Sequence, residues 1–375
     1  MNNKKLMVLG TNEALLNRAV EMGYEVHAFG LNPPDEKKTS KEKVIFHKQD
    51  ILDYDSLWDA CQRLKPQGVV SVCSELAMHP MHYLLRKMSI PCNSEETERA
   101  TTDKYLMRKI MRDVGLDTPR FTLITPQSLE QEIKEQIRGF CYPLIVKPVD
   151  MSASRGVIKV ESAADLTSAI SYSLKWSKSK RCILEEFVEG PEYSGECVAY
   201  RGEYTLLAIT KKMTTGAPHF VETSHRQPSG LGELLTNKVK MTLFKAFKAL
   251  NIEYGAIHPE FRITQDGRIL FMEIATRMGG DHIGTELTPL SSGYDFLGMV
   301  IDICCGKAPN IKRLHLPQDA EVRYIITQND IDQLSRYKSD SSICIVRESE
   351  IGPIPESVNK SSDRAGYYIL TRKKQ

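Results

Sequence analysis

Glu260 and Glu273 bracket the segment Glu260-Phe-Arg-Ile-Thr-Gln-Asp-Gly-Arg-Ile-Leu-Phe-Met-Glu273. Its centre, Asp266-Gly267, is a strong hairpin signal between alternating strands. With those two as the loop, Gln265 faces Arg268, Phe261 faces Met272, and Glu260 falls opposite Glu273. Such a pair holds its Cβ atoms about 5 Å apart. Carboxylates that close repel, and the commonest reason to hold them together is a hard divalent cation with oxygen ligands. The spacing therefore points to Mg²⁺, with Mn²⁺ as a substitute, on Glu260 and Glu273. The opposite face, Phe261, Ile263, Leu270, Met272 and Ile274, supplies the buried side of a half-exposed sheet. Alternation past Glu273 runs through Ala275 to Arg277, and a guanidinium beside a metal pair suits chemistry on phosphates. The plain alternative is a solvent-facing strand pair neutralised by Arg262 and Arg268.

Two upstream segments extend the phosphate reading. Leu144-Ile-Val-Lys147-Pro148 is an apolar strand interrupted by a lysine, and a buried ammonium is costly unless an anion accompanies it. Directly after it, Met151-Ser152-Ala-Ser154-Arg155-Gly156 supplies small residues and hydroxyls in a turn able to close over phosphate oxygens. In Ile183-Leu-Glu185-Glu186-Phe-Val188-Glu-Gly-Pro-Glu192 a strand becomes a turn with acids at its edge. There the main chain can read an adenine edge, Glu185 its amino group, and Glu192 the ribose hydroxyls. A snorkelling edge lysine, a loose loop and solvated acids are the competing accounts.

The elements that must position these groups can be read from patterning. Lys5 to Gly10, a helical pattern from Glu13 to Met22 closed by Gly23, and Tyr24 to Phe29 make a β-α-β opening, which predicts a small parallel sheet. The loop after the first strand, Gly10-Thr-Asn-Glu-Ala, lacks the later glycines of G-x-G-x-x-G, which argues against a dinucleotide turn. A helix from Asp103 to Val114 stops at Gly115, and Thr118-Pro119 marks a boundary. A compact α+β unit of strands and helices follows to Phe187, then strands, the helix Leu231 to Ala249 and the hairpin.

Composition is that of a globular protein able to bury several cores: 375 residues, 41% hydrophobic and 26% charged. A formal charge of +2 gives no field favouring nucleic acid or a membrane surface. The nine cysteines show no C-x-x-C spacing and sit mostly in apolar runs, as reduced thiols of a cytoplasmic protein would. Met1-Asn-Asn-Lys-Lys leads into too few apolar residues for a signal peptide or a membrane span.

The order of these parts is more telling than any one. Asp103-Lys104, Ile145-Val-Lys147-Pro148, the Ser/Gly loop, Leu184 to Glu192, His258-Pro-Glu260-Phe261 and Met272-Glu273-Ile-Ala275-Thr-Arg277 resemble, in order and spacing, the ATP-grasp superfamily of carboxylate-amine ligases. The resemblance covers essentially the whole chain, and the N-terminal sheet is similar to the preceding domain of carbamoyl-phosphate synthase large subunits, biotin carboxylase and glycinamide ribonucleotide synthetase. It implies an α/β protein with a Rossmann-like parallel-sheet domain over 1–100, a small α+β lid with its linker helix over 101–190, a large antiparallel-sheet subdomain over 191–310, and C-terminal strands completing it over 311–375. It also implies ATP-binding roles. Lys104 and Lys147 hold the α- and β-phosphates. Glu185 and the main chain of Glu186 and Val188 meet adenine, and Glu192 the ribose. The loop Ser152, Ser154, Arg155 and Gly156 covers the transferred phosphoryl. Glu260 and Glu273 bind magnesium, and Arg277 stabilises charge on an acyl phosphate. Many members carry Asn where this chain has Ala275, which leaves the second metal's ligand set open.

Two more stretches are expected to face substrate. Lys212, Glu222, His225 and Arg226 belong to a polar, cationic segment resembling substrate-binding segments of amino-acid-ligating members. Gly279-Gly280 would let backbone N–H groups approach a carboxylate. The expectation is an ATP- and Mg²⁺-dependent ligase joining a small-molecule carboxylate to an amine, with no nucleic-acid or membrane partner; a homodimer is compatible with it. A carboxylase or kinase on this fold, or a non-catalytic ATP-binding regulator, is the alternative.

Overall fold

The computed structural model describes residues 4–35, 37–39, 43–152, 155–216 and 219–372. The first sheet is parallel, with strands β1 (Lys4–Leu9), β2 (Tyr24–Gly30), β3 (Val44–Lys48) and β4 (Val69–Val70) in the order β3-β2-β1-β4. Leu6 to Leu9 form an unbroken apolar run because helices cover both faces of this strand, and all four residues are buried. Helix Glu13–Glu21 starts on Asn12, whose side chain accepts from the Leu15 N–H at 3.0 Å; helix Tyr54–Leu64 starts on Asp53 in the same way. Beyond β4 the chain enters helix Glu75–Lys87 directly, so Glu75 stands at the carboxyl end of the parallel sheet.

Asp103 is at once the last cap of helix Glu95–Thr102 and the first cap of helix Lys104–Asp113, accepting from the Leu106 N–H at 2.9 Å. Arg181 from the next sheet holds its other oxygen at 2.7 Å. This elbow fixes Lys104 at a helix start. The small sheet follows: β5 (Phe121–Ile124), β6 (Leu144–Pro148), β7 (Ile158–Val160) and β8 (Cys182–Glu186), antiparallel in the order β5-β8-β6-β7. Its apolar face, including Leu144, Val146, Val160 and Leu184, packs against helix Leu166–Trp176.

Eight strands make the large antiparallel sheet: β9 (Glu192–Tyr200), β10 (Glu203–Thr214), β11 (Glu222–Gln227), β12 (Tyr254–Ile263), β13 (Ile269–Ala275), β14 (Asp319–Ile325), β15 (Ile343–Glu348) and β16 (Gly366–Arg372). Their order is β13-β12-β9-β10-β11-β14-β16-β15, so the C-terminal strands extend the same sheet. One face of β9, β12 and β13 carries Tyr193, Cys197, Ile257, Phe261 and Phe271 into a core with helix Glu233–Ala249. The other face carries charge.

The hairpin departs from the expected geometry in two compensating ways. Ile263 pairs with Ile269 and the Thr264 N–H donates to Arg268 O, leaving Gln265, Asp266 and Gly267 as the loop, with Gly267 at φ 77°. Phe261 then pairs with Phe271, Met272 is left unmatched as a bulge, and Glu260 faces Glu273 after all. The core face is therefore Phe261, Ile263, Ile269, Phe271 and Ile274, replacing the expected Leu270 and Met272. Among the described residues no helix is long and apolar enough to cross a membrane.

Candidate active site

The charged face of the large sheet is a grid built by strand alternation. Lys212 on β10 and Arg262 on β12 both lie opposite Glu192 on β9, and Glu260 lies opposite Ser194. Lys212 Nζ reaches Glu192 at 2.9 Å, Glu260 at 2.8 Å and Glu222 at 3.7 Å. Arg262 donates to Glu192 at 3.1 Å and to Val188 O at 2.9 Å. Glu222 joins this group because β11 bulges: Ser224 pairs with Met213 but Glu222 with Thr214, leaving Thr223 unmatched.

The linker helix and the small sheet meet this grid from above. Lys104 Nζ contacts Glu273 at 3.0 Å and Met151 O at 2.8 Å. Arg108, one turn along and fully buried, donates to both oxygens of Glu185, at 3.0 and 3.5 Å, and to the carbonyl of the bulged Met272 at 3.0 Å. Lys147 donates to Glu185 as well. Glu185 is thus enclosed between two cations and 3% exposed, so the expectation of a carboxylate at an adenine edge is corrected. It is the anion that makes a buried Lys147 tolerable. Glu273 and Glu260 each hold a lysine, and no three His, Cys, Asp or Glu side chains are already gathered for a metal among the described residues.

Burial pulls the Lys147 ammonium down to about 8, with Arg108 adding to the shift and Glu185 opposing it. Burial also opposes charge on Lys212, but Glu260, Glu192 and Glu222 outweigh it and hold its pKa well above the ordinary lysine value. Glu260 would be raised by burial, yet Lys212 and His258 keep it well below the carboxylate range. Glu273 is lowered against burial chiefly by Lys104. Glu222 goes the other way, raised by burial with Lys212 opposing.

The remaining expected residues divide. Ser152 and Arg155 form a closed local turn, the Arg155 Nε donating to Ser152 O at 3.1 Å; Ser154 lies outside the described residues. Gly156 owes its identity to packing, since a Cβ there would sit 2.7 Å from Pro148 and 2.8 Å from Trp176, at φ 76°. The N–H of Glu186 is taken by Arg120 O at 3.0 Å and its side chain by the Cys141 N–H at 2.9 Å. Beside it, Phe187 and Phe220 form a platform with ring centroids 6.3 Å apart, flanked by Lys159 and Arg262. His225 is fully buried on the face of Lys212, and burial pulls it down to about 3. Arg226 is corrected: it points to the opposite, exposed face, 3.6 Å from Asp319.

Gly279 is corrected too, because its N–H donates to Glu196 at 3.1 Å and its carbonyl accepts from Cys73 at 3.1 Å, so neither is turned toward a ligand. Its glycine identity comes from close approach, since a Cβ would lie 2.5 Å from Glu196 and 2.8 Å from His258. Gly280 opens onto free space. Asp281 and His282 follow at φ 48° and 64°, a strained pair held by Arg364, which clamps Asp281 at 3.0 and 3.1 Å. Arg277 lines a cleft between helices Glu75–Lys87 and Glu95–Thr102 and the end of β13, with Glu75, His79, Glu98 and Thr276. Glu75 Oε2 is buried there without a hydrogen-bond partner among the described residues.

Sequence reading gave no site role to Arg108, Arg262, Glu196, His258, Arg364 or Glu75, Arg262 entering only as a counter-charge to the hairpin acids and His258 only as part of the stretch His258-Pro-Glu260-Phe261. Signals existed for the first two. Arg108 is four residues after Lys104 on one helix face, and Arg262 two after Glu260 on one strand face.

Residues 140–286 match the ATP-grasp domain family, and the chain carries an ATP-grasp domain with that fold. The chain is 24% identical over 292 residues to formate-dependent phosphoribosylglycinamide formyltransferase of Ignicoccus hospitalis, covering 74% of this chain and 70% of that protein. It is 26% identical over 213 residues to D-alanine–D-alanine ligase of Pseudomonas putida, covering 54% and 63%. The crystal structure of an L-amino acid ligase from Bacillus licheniformis superposes with a TM-score of 0.77 at 19% identity, over 100% of this chain and 94% of that one. The chain spans 60% to 70% of the length of such curated relatives.

Proposed function

We propose that this protein is an ATP- and Mg²⁺-dependent ligase that joins a carboxylate, most simply that of an amino acid, to an amine. The observation that carries it is the meeting of Lys104, Lys147 and Lys212 with the facing Glu260 and Glu273 between the small and large sheets. The ammonium groups are present without phosphate only because Glu185, Glu192, Glu260 and Glu273 neutralise them. The family resemblance and the ligase names of several relatives support the same reading.

The donor set fits the cation that the fold family uses: two carboxylates opposite one another, both kept ionised by neighbouring cations. A divalent cation on Glu260 and Glu273 would supply charge neutralisation for the phosphate oxygens of ATP. The protein's own part is positioning and electrostatics. Lys104 and Lys147 grip phosphate oxygens, Lys147 being held at its post by Glu185, which Arg108 fixes in turn. The Phe187 and Phe220 platform, with the Val188 carbonyl fixed by Arg262, borders the nucleoside side. A carboxylate oxygen of the acid attacks the γ-phosphorus as the bond to ADP breaks. The amine nitrogen then displaces phosphate from the acyl carbon and loses a proton. Arg277 faces the charge that builds on the reacting carboxylate and phosphoryl. Glu75, with an unpaired oxygen in the same cleft, offers an ammonium a counter-charge. The Gly280–Asp281 turn clamped by Arg364, with Glu222 and His225 nearby, borders the substrate side.

The test is a screen of amino-acid pairs for ATP-dependent phosphate release, with mass spectrometry of the products. Release that requires both a carboxylate and an amine and yields an amide bears the reading out. Full turnover with bicarbonate alone replaces it with a carboxylase, and ATP binding without turnover replaces it with a regulator.

A further inference from the structure

The position that Ala275 cannot fill as a metal ligand has a neighbour that can. In the β12–β13 ladder Glu260 pairs with Glu273, and the next pair on the same face is His258 with Ala275. His258 is 3% exposed. Its Nδ1 bonds to Glu196, a carboxylate with no exposed surface, and its Nε2 lies 3.4 Å from Glu260 Oε1. The ring is thus fixed by a carboxylate behind it and aimed at a carboxylate in front.

We propose that His258 Nε2 is a ligand of the divalent cation held by Glu260, oriented by Glu196, and that it takes the place of the side-chain amide this chain lacks at Ala275. Three features carry this. Metal-binding histidines characteristically donate their second ring N–H to a carboxylate, which sets ring orientation and tautomer, and Glu196 stands in that place. Donors at 2.0–2.1 Å from one cation at right angles lie about 3 Å apart, so the 3.4 Å between Nε2 and Oε1 needs only a small closure. Glu196 itself cannot drift, because the Gly279 N–H holds its second oxygen at 3.1 Å. Glu260 Oε1 now accepts from Lys212 at 2.8 Å; a cation on that oxygen would take over the neutralising role of Lys212.

The consequence is chemical. An imidazole nitrogen among carboxylate oxygens moves preference away from Mg²⁺ and toward transition metals, and Mn²⁺, which also accepts carboxylate oxygens, is the paramagnetic probe of the site. The proposal rests on the ligase reading in one respect, that Glu260 holds a divalent cation.

The experiment is pulsed electron paramagnetic resonance of Mn²⁺ bound with ADP, on wild-type protein made with ordinary and with ¹⁵N-labelled histidine. Wild type is expected to show the coupling of a directly bound imidazole ¹⁴N, converted to a ¹⁵N coupling by the label. The coupling is expected to vanish in His258→Gln, checked for folding by its melting curve. Glu196→Gln keeps an acceptor for Gly279 but loses the carboxylate behind the ring, and should weaken Mn²⁺ binding roughly 10- to 100-fold. In His258→Gln/Ala275→Asn, Mn²⁺ affinity should recover with no nitrogen coupling. Bound Mn²⁺ without any histidine coupling in the labelled wild type overturns the inference and leaves the ligase reading standing, as does a coupling that survives in His258→Gln. Failure of the protein to bind Mn²⁺ with ADP at all overturns both.

Discussion

Replacing Glu273 with Gln tests whether the facing carboxylates repel each other or serve as counter-ions. By sequence alone, two acids across a hairpin repel in the metal-free protein, so removing one charge should leave it no less stable. The structure reverses that sign. Glu273 is paired with Lys104 at 3.0 Å, with side chains 14% and 8% exposed, while Glu260 has its own lysine. Glu273 is lowered in pKa despite burial, so its ionised form is favoured by folding. Removing one partner of a buried pair costs about 3–5 kcal/mol. Here the glutamine amide still accepts a hydrogen bond and Lys104 keeps Met151 O, so the loss should be nearer that of a hydrogen bond to a charged group, about 1.5–3 kcal/mol. At roughly 2–4 °C per kcal/mol for a unit of 150–250 residues, Glu273→Gln should melt roughly 3–12 °C below wild type in EDTA. Because a depressed carboxylate stabilises above its unfolded pKa and loses that contribution as pH falls through its folded value, the two melting curves should converge in acid. Calorimetry with Mg²⁺ and ADP then separates function from stability: wild type gains about 2.7 kcal/mol at a hundredfold excess over Kd, and the variant should gain much less. A Glu273→Gln protein that melts at or above wild type in EDTA would sink the counter-ion account.

Lys147→Ala should weaken ATP binding, measured directly by calorimetry, while Arg277→Ala should keep ATP affinity and lose roughly 10²- to 10³-fold in kcat, as expected for a donor that meets charge only in the transition state. Loss of ATP binding in Arg277→Ala with undiminished turnover at saturation would place that side chain on the nucleotide. With Lys147 at about 8, ATP affinity should be level below that pH and weaken above it, by up to about tenfold per unit, as the free ammonium deprotonates; a Lys147→Arg variant should flatten the profile, and an unchanged slope in it would exonerate Lys147. Arg226→Ala should leave kcat/KM for both substrates within about twofold of wild type, since the side chain points away from the site; a loss of tenfold or more would contradict the β11 register.

Much of the fold was legible because its signals are local. The parallel opening sheet follows from short buried runs between helical stripes, and the linker helix from Asp103 and Gly115 at its ends. Lys147 stood out for the same reason, as a single charge in an apolar strand. What could not be read was which anion it would meet. Glu185 looks like an exposed strand-end acid until Arg108 arrives from a helix seventy-seven positions away and encloses it. The partnership of His258 with Glu196 is silent in the sequence because it runs across two strands, and Arg364 reaches Asp281 from the far end of the chain.

The two bulges show why period-two reading succeeded and failed within one sheet. Strict alternation puts Ile269, Phe271 and Glu273 on one face, which would bury Glu273 in the core beside Phe261. The extra residue at Met272 breaks that parity, sends Phe271 inward and turns Glu273 to meet Glu260, and its displaced carbonyl is satisfied by Arg108. The expected pairing held because a loop one residue longer than expected and a bulge of one residue offset each other. On β11 nothing offsets. Alternation groups Glu222, Ser224 and Arg226, and the unmatched Thr223 separates them, delivering Glu222 to Lys212 while Arg226 stays outside. On β13 the bulge turns Glu273 toward Lys104, and on β11 it adds Glu222 to a Lys212 already met by Glu192 and Glu260, so both irregularities help this sheet carry buried charge on one face and a hydrophobic core on the other.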